Sequence, residues 1–155
     1  MFLIRRAQAS DLHSVRHLLK RSKIKDQGID QHLEHFFLVE QASEGEEHVK
    51  IVGMIGLEVY KPYGLLSSFI LAKASWSAKI GIHLIKIILT YAETIQLLEV
   101  YLLAGHAADL FQQMGFEVIT YEELPEEIRG TGHIQLCQEK DGVPMVYRVF
   151  KKKKH

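Results

Sequence analysis

The residues most able to do chemistry lie in one stretch. Leu65 to Leu71 is a short apolar run that follows Pro62 and Gly64 and reads as a central strand. A small, polar turn follows, from Ala72 to Ala78. From Lys79 the residues Ile80, Leu84, Ile85, Ile88 and Tyr91 recur at steps of three and four, which predicts a helix. A strand that feeds a helix through small residues is suited to an anion. The first-turn N–H groups have no intrahelical partners, and the helix dipole favours negative charge there. Ser77, Ala78, Lys79, Ile80 and Gly81 can each donate a backbone N–H, and Lys79 adds a cation.

Other reactive residue types are scattered. Glu58, near the end of a predicted strand, could act as a base if partly desolvated; as an exposed carboxylate it could instead pair with Lys61. Tyr60 and Tyr101 could touch a substrate or simply pack. His13 and His17 have the i, i+4 spacing of two metal ligands on a helix. No glutamate follows His13 and no third ligand is evident, so no metal is expected; His32 and His35 meet the same objection. His106 precedes a helix and could cap it or contact a ligand. Cys137 has neither a partner base nor a neighbouring charge that would activate its thiol.

The elements that must position these residues can be read in order. Phe2–Ile4 is a first strand, and Ser10 is placed to cap a helix with Leu12, Val15, Leu18 and Leu19 inward. His32, Leu33 and Phe36 suggest a second, short helix. Phe37–Gln41 and His48–Tyr60 are strands joined by an acidic hairpin loop, and Gly53 and Gly56 could permit a bulge or a close backbone approach. After the central strand and helix come a strand over Leu97–Leu103 and a helix carrying Leu110, Phe111 and Met114. Gly115 is expected to end that helix in a left-handed cap. Phe116–Tyr121 is a strand, Leu124–Gly130 a short helix, Val143–Phe150 a last strand and 151–155 a frayed basic tail.

Composition bounds the rest. With 155 residues, 47% apolar and 25% charged, the chain is large enough for one substantial core, so residues 1–150 read as a single domain. Nineteen basic and nineteen acidic residues balance, which gives no electrostatic case for nucleic acid. No apolar run is long enough to cross a bilayer, no signal peptide is evident, and a lone cysteine fits a reducing cytoplasm.

The central stretch resembles the acetyl-coenzyme A site of the GNAT acyltransferases. Their pattern is Leu-x-Val on a strand, then (Arg/Gln)-x-x-Gly-x-(Gly/Ala) opening a helix. Phe69 and Leu71 fall on the strand positions, Trp76 on Arg/Gln, Lys79 on the middle Gly and Gly81 on the last Gly. Ile4-Arg5-Arg6-Ala7, Gly53–Tyr60 and Leu110–Phe116 resemble further GNAT elements, the second of them in the arsenic-resistance-associated and N-acetylglutamate synthase-like branch. The resemblance implies an α/β GNAT fold: a mixed, mostly antiparallel central sheet flanked by helices, with strands four and five splayed apart. It implies transfer of an acetyl group from acetyl-coenzyme A to a primary amine of a small, amino acid-like acceptor. The cofactor-binding residues would be Phe69, Leu71, Ser77, Ala78, Lys79, Ile80, Gly81 and Phe111, with Glu58 as the catalytic base. Phe111 stands where many of these enzymes carry a tyrosine that protonates the departing thiolate. A homodimer is among the assemblies the resemblance allows. The departures at Trp76, Lys79 and Phe111 leave a second reading open, a non-catalytic module of the same fold that binds a small molecule or a protein.

Overall fold

The structure is a computed structural model that describes residues 2–21, 29–42, 49–72, 78–105, 107–132, 134 and 142–150. The expected hairpin loop at 43–47, and the positions of Ser77, Trp76, His106, Cys137 and the basic tail, lie outside the described residues.

Seven strands form one sheet in the order β1-β2-β3-β4-β5-β7-β6. They are β1 (Phe2–Arg6), β2 (Phe36–Ala42), β3 (Val49–Tyr60), β4 (Tyr63–Leu71), β5 (Glu99–Ala104), β6 (Glu117–Val118) and β7 (Val143–Arg148). Every neighbouring pair is antiparallel except β4 and β5, which run parallel. The helices are α1 (Leu12–Arg21), α2 (Ile29–His32), α3 (Ala78–Thr94), α4 (Ala108–Gln113) and α5 (Glu126–Arg129). The expected mixed, mostly antiparallel sheet flanked by helices is therefore what the chain forms.

Each sheet face buries its own apolar set. On one face α3 packs Leu84, Ile85, Ile88 and Ala92 against Ile55 and Leu57 of β3 and Val100 and Leu102 of β5. On the other, α1 and α2 pack Val15, Leu19 and Ile29 against Phe36, Leu38 and Met54. Further along that second face, Leu124 and Ile128 cover Leu65, Tyr101 and Val146. Period-two alternation along β3, with Leu57 facing α3 while Glu58 and Tyr60 face the other way, puts one polar row beside α2 and α5.

Several local expectations are corrected. Ser10 does not cap α1. Asp11 closes a capping box with Gln8 at a 3₁₀ turn over Ala9–Asp11, and its carboxylate also takes two hydrogen bonds of 2.8 Å from Arg5. The strand expected over Phe116–Tyr121 shortens to Glu117–Val118, because Ile119 leaves the ladder after one more bond to Pro144 and a 3₁₀ turn begins at Tyr121. Gly115 does end α4 as expected: its φ is +102°, and Phe116 N–H returns to Phe111 O at 3.0 Å. Gly56 provides the close approach. A Cβ there would overlap the Phe36 ring, which lies across the strand.

Candidate active site

β4 is paired differently on its two sides. Against β3 it pairs from Tyr60↔Tyr63 to Gly53↔Leu71. Against β5 only three rungs form, Tyr63↔Glu99, Gly64↔Val100 and Leu65↔Tyr101. Beyond Leu65 the two strands part, while β5 continues against β7 as far as Ala104↔Val143. The expected splay is present.

A bulge prepares β4 for this. Gly56 pairs with Ser68 and Leu57 with Leu66, so Ser67 is the extra residue. Past the bulge, Ala72 N–H donates to Val52 O at 2.7 Å. Alternate residues direct their N–H and C=O groups to opposite sides of a strand. Ile70 and Ala72 thus face β3, and Phe69 and Leu71 direct theirs into the gap left by β5. That is the arrangement needed to pair with an extended, amide-containing chain laid between the strands.

α3 begins at Ala78 where β4 is aimed, with Ala78 and Lys79 exposed, Ile80 half-buried and Gly81 buried. Their N–H groups belong to the helix's first turn, where an anion is favoured. Phe111 is 4% exposed and sits edge-on between Phe69 (5.5 Å between centroids) and Phe116 (5.2 Å), which ties α4 to the upper half of β4. It has no hydroxyl to donate.

The polar row occupies the other face at the point of parting. The register runs Glu58, Leu65, Tyr101, Val146 across four strands at the last shared rung. Below it runs Tyr60, Tyr63, Glu99, Arg148. Glu58 is half-buried and accepts the Tyr60 hydroxyl at 2.5 Å, not the Lys61 ammonium proposed as its alternative partner. Its other carboxylate oxygen accepts no hydrogen bond among the described residues. Tyr101 donates to Glu99 at 3.0 Å in the same i, i+2 manner and meets Tyr63 edge-on at 5.9 Å. Burial, and then the hydrogen bond to a carboxylate, raises both phenols well above their ordinary range, so each stays a proton donor to its glutamate.

α2 closes this face, a contribution the histidine spacing did not reveal. The Val59 N–H donates to His32 Nδ1 at 3.1 Å, which places a neutral ring's proton on Nε2, and the ring packs on Tyr60 at 5.3 Å. His35 Nδ1 meets the Tyr91 hydroxyl at 2.6 Å, and burial lowers its pKa. His13 and His17 are exposed on α1. A shallow groove of about 370 Å³ lies along α3 between Phe37 and Thr94, lined by none of the residues at the gap. No described helix is long and apolar enough to cross a membrane.

No protein-family model and no curated protein sequence matches the chain. Solved structures do. N-acetylglutamate synthase from Neisseria gonorrhoeae, complexed with coenzyme A and N-acetyl-glutamate, aligns over 97% of this chain at 17% identity and a TM-score of 0.74. The chain spans 36% of that enzyme's length. Rv2747 from Mycobacterium tuberculosis, in complex with CoA, aligns over 94% of this chain and 98% of its own at 19% identity and a TM-score of 0.72. A GNAT-family acetyltransferase from Staphylococcus aureus Mu50 aligns over 97% of this chain and all of its own, at 19% identity and 0.70. A parted β4–β5 pair, a helix starting at the end of β4 and these whole-chain alignments lead to one conclusion: this chain has the GNAT acetyltransferase fold.

Proposed function

We propose that the chain transfers the acetyl group of acetyl-coenzyme A to a primary amine of a small, amino acid-like acceptor, in the cytoplasm. The observation that carries this reading is the parting of β4 from β5 just past Leu65↔Tyr101, with Phe69 and Leu71 amides directed into the opening. Neighbours of the same fold bound to coenzyme A support it. Acetyl-coenzyme A, as substrate, supplies the acetyl group as a reactive thioester. The backbone of Phe69 and Leu71 binds and orients its pantetheine arm, and Ser77, Ala78, Lys79, Ile80 and Gly81 hold its pyrophosphate. Phe111 walls the opening and excludes water. Glu58, one strand from the apex, takes the proton that the acceptor amine must lose, while Tyr60 fixes the carboxylate. Residues 1–150 act as one domain.

The second reading, a non-catalytic binding module, is favoured by Lys79 in place of a glycine and by Phe111 without a hydroxyl. Native mass spectrometry with acetyl-coenzyme A, followed by a thiol-release assay over a panel of primary amines, separates the two. The enzyme reading expects a one-to-one complex and amine-dependent release of coenzyme A. A complex without release supports the module; neither signal at millimolar concentration ends the acetyl-transfer reading.

A further inference from the structure

β3 outruns β2. The ladder between them ends at Phe36↔Gly56, and beside the β3 edge from Leu57 to Tyr60 the described chain places α2 and a 3₁₀ turn, not a strand. A strand edge without a neighbour leaves N–H groups in need of acceptors. At Val59 a side chain takes the place of the missing strand: the N–H donates to His32 Nδ1 at 3.1 Å. His32 is the last residue of α2. Ile29 and Leu33 on either side of it are buried in the cluster of Val15, Leu19 and Phe36, so the ring stands on a fixed base.

The same ring packs on Tyr60 at 5.3 Å between centroids, and Tyr60 donates its hydroxyl to Glu58 at 2.5 Å. No hydrogen bond or ion pair joins His32 to Glu58 directly. Glu58 and Tyr60 share a sheet face only while Val59 between them stays extended. His32 therefore bears on this pair by two routes, the backbone of Val59 and the ring of Tyr60. Placement of this kind matters to a base, because a shift of about 1 Å in a reacting group can cost about a hundredfold in rate. We propose that His32 is a positioning residue for Glu58, holding the carboxylate in place through Val59 and Tyr60. This rests on the acetyl-transfer reading above and adds to it the residue that sets the base. The imidazole serves as a hydrogen-bond acceptor of fixed reach, not as an acid, a nucleophile or a metal ligand.

The test uses the whole chain, with His32→Asn and His32→Gln alone and in the Glu58→Gln background. The asparagine amide oxygen falls near the position of Nδ1 and can still accept from Val59; the glutamine amide reaches to where Nε2 stands, beyond it. His32→Gln should lower kcat for amine acetylation by about tenfold and leave both KM values within about twofold, and His32→Asn should restore most of the loss. Added to Glu58→Gln, His32→Gln should cost less than about twofold, because a carboxylate that is absent cannot be misplaced. The same tenfold loss in both backgrounds, equal losses in His32→Asn and His32→Gln, or a change in KM alone overturns the proposal. If His32→Gln does not fold, His32→Phe takes its place in the cycle, with a ring to pack on Tyr60 and no acceptor. If the native chain acetylates no amine, the acetyl-transfer reading fails by itself, and the Glu58 carboxyl carbon resonance at neutral pH decides the positioning role. Movement of that resonance in His32→Gln with none in His32→Asn sustains the role; one resonance position in all three proteins removes it.

Discussion

The two sides of β4 are built on opposite principles. Toward β3 the strand is paired along its length, and Gly56 lets Phe36 lie against the backbone. Toward β5 pairing stops after three rungs. A ladder that stops partway along two neighbouring strands in a sheet interior is uncommon. It persists here because β3 holds one side while β5 is held by β7 on its far side from Glu99↔Arg148 to Ala104↔Val143. The lesson is a division of labour: the closed seams supply the stability that keeps an open seam open.

That comparison can be broken from either side. The largest effect is expected on the closed seam. Gly56→Val drives a branched side chain into the Phe36 ring, and overpacking of this kind should cost about 3 kcal/mol. Urea unfolding should show it as a lower midpoint at unchanged slope. A midpoint equal to that of the native chain would mean that Phe36 can step aside and that the seam is looser than its register.

The next concerns the open seam's polar edge. Glu58→Gln can still accept the Tyr60 hydroxyl, so stability should stay within about 0.5 kcal/mol of native. Turnover of amine should fall by about a hundredfold, the lower range for loss of a general base. A variant with full turnover would leave the proton to water and return Glu58 to a packing role.

Arg5 tests the far end of the closed half. It bridges Asp11 and Glu40, whose side chains are 11% and 13% exposed. Arg5→Leu should cost about 2 kcal/mol at neutral pH by stranding both carboxylates. The Arg5 hydrogen bonds hold the Asp11 pKa below its ordinary 3.8. A depressed pKa adds stability above the unfolded value and loses it as pH falls through the folded one. The gap between native and variant should therefore narrow below about pH 4, and a pH-independent gap in chemical denaturation would contradict the ion-pair account.

The smallest effect is at the mouth of the gap. Lys79 is exposed, so Lys79→Ala should weaken acetyl-coenzyme A by about two- to fivefold at low salt, with the difference fading as salt rises. Calorimetry at two salt concentrations measures both. A larger, salt-insensitive loss would place Lys79 in direct, desolvated contact with the diphosphate.

What could be read from the sequence follows from the range of the forces involved. The α3 repeat of Ile80, Leu84, Ile85 and Ile88, the Gly115 cap and the β4 run are local patterns, and local geometry honoured them. Ser10 misled because Asp11 and Gln8 already cap each other, and Arg5, which also grips Asp11, arrives from another element. Lys61 was a poor guess for Glu58 because it lies in the turn beyond the end of β3, whereas Tyr60 stands on the same face of the strand as Glu58. His32 was set aside as a metal ligand; the hydrogen bond its Nδ1 accepts from the Val59 N–H forms only once α2 docks on β3.

Ser67 gives β4 two reading frames. Below it Tyr63 and Leu65 face α5; above it Phe69 faces α3, although it lies four positions after Leu65 and plain alternation would put both on one side. One inserted residue therefore transposes the strand between two sheet faces, its lower half packed toward α5 and its upper half toward α3. The halves are free to diverge independently, so that substitutions below the bulge need not disturb the backbone above it. Deleting that single serine would undo the arrangement in one step, turning Phe69 toward the α5 face and its amide away from the gap.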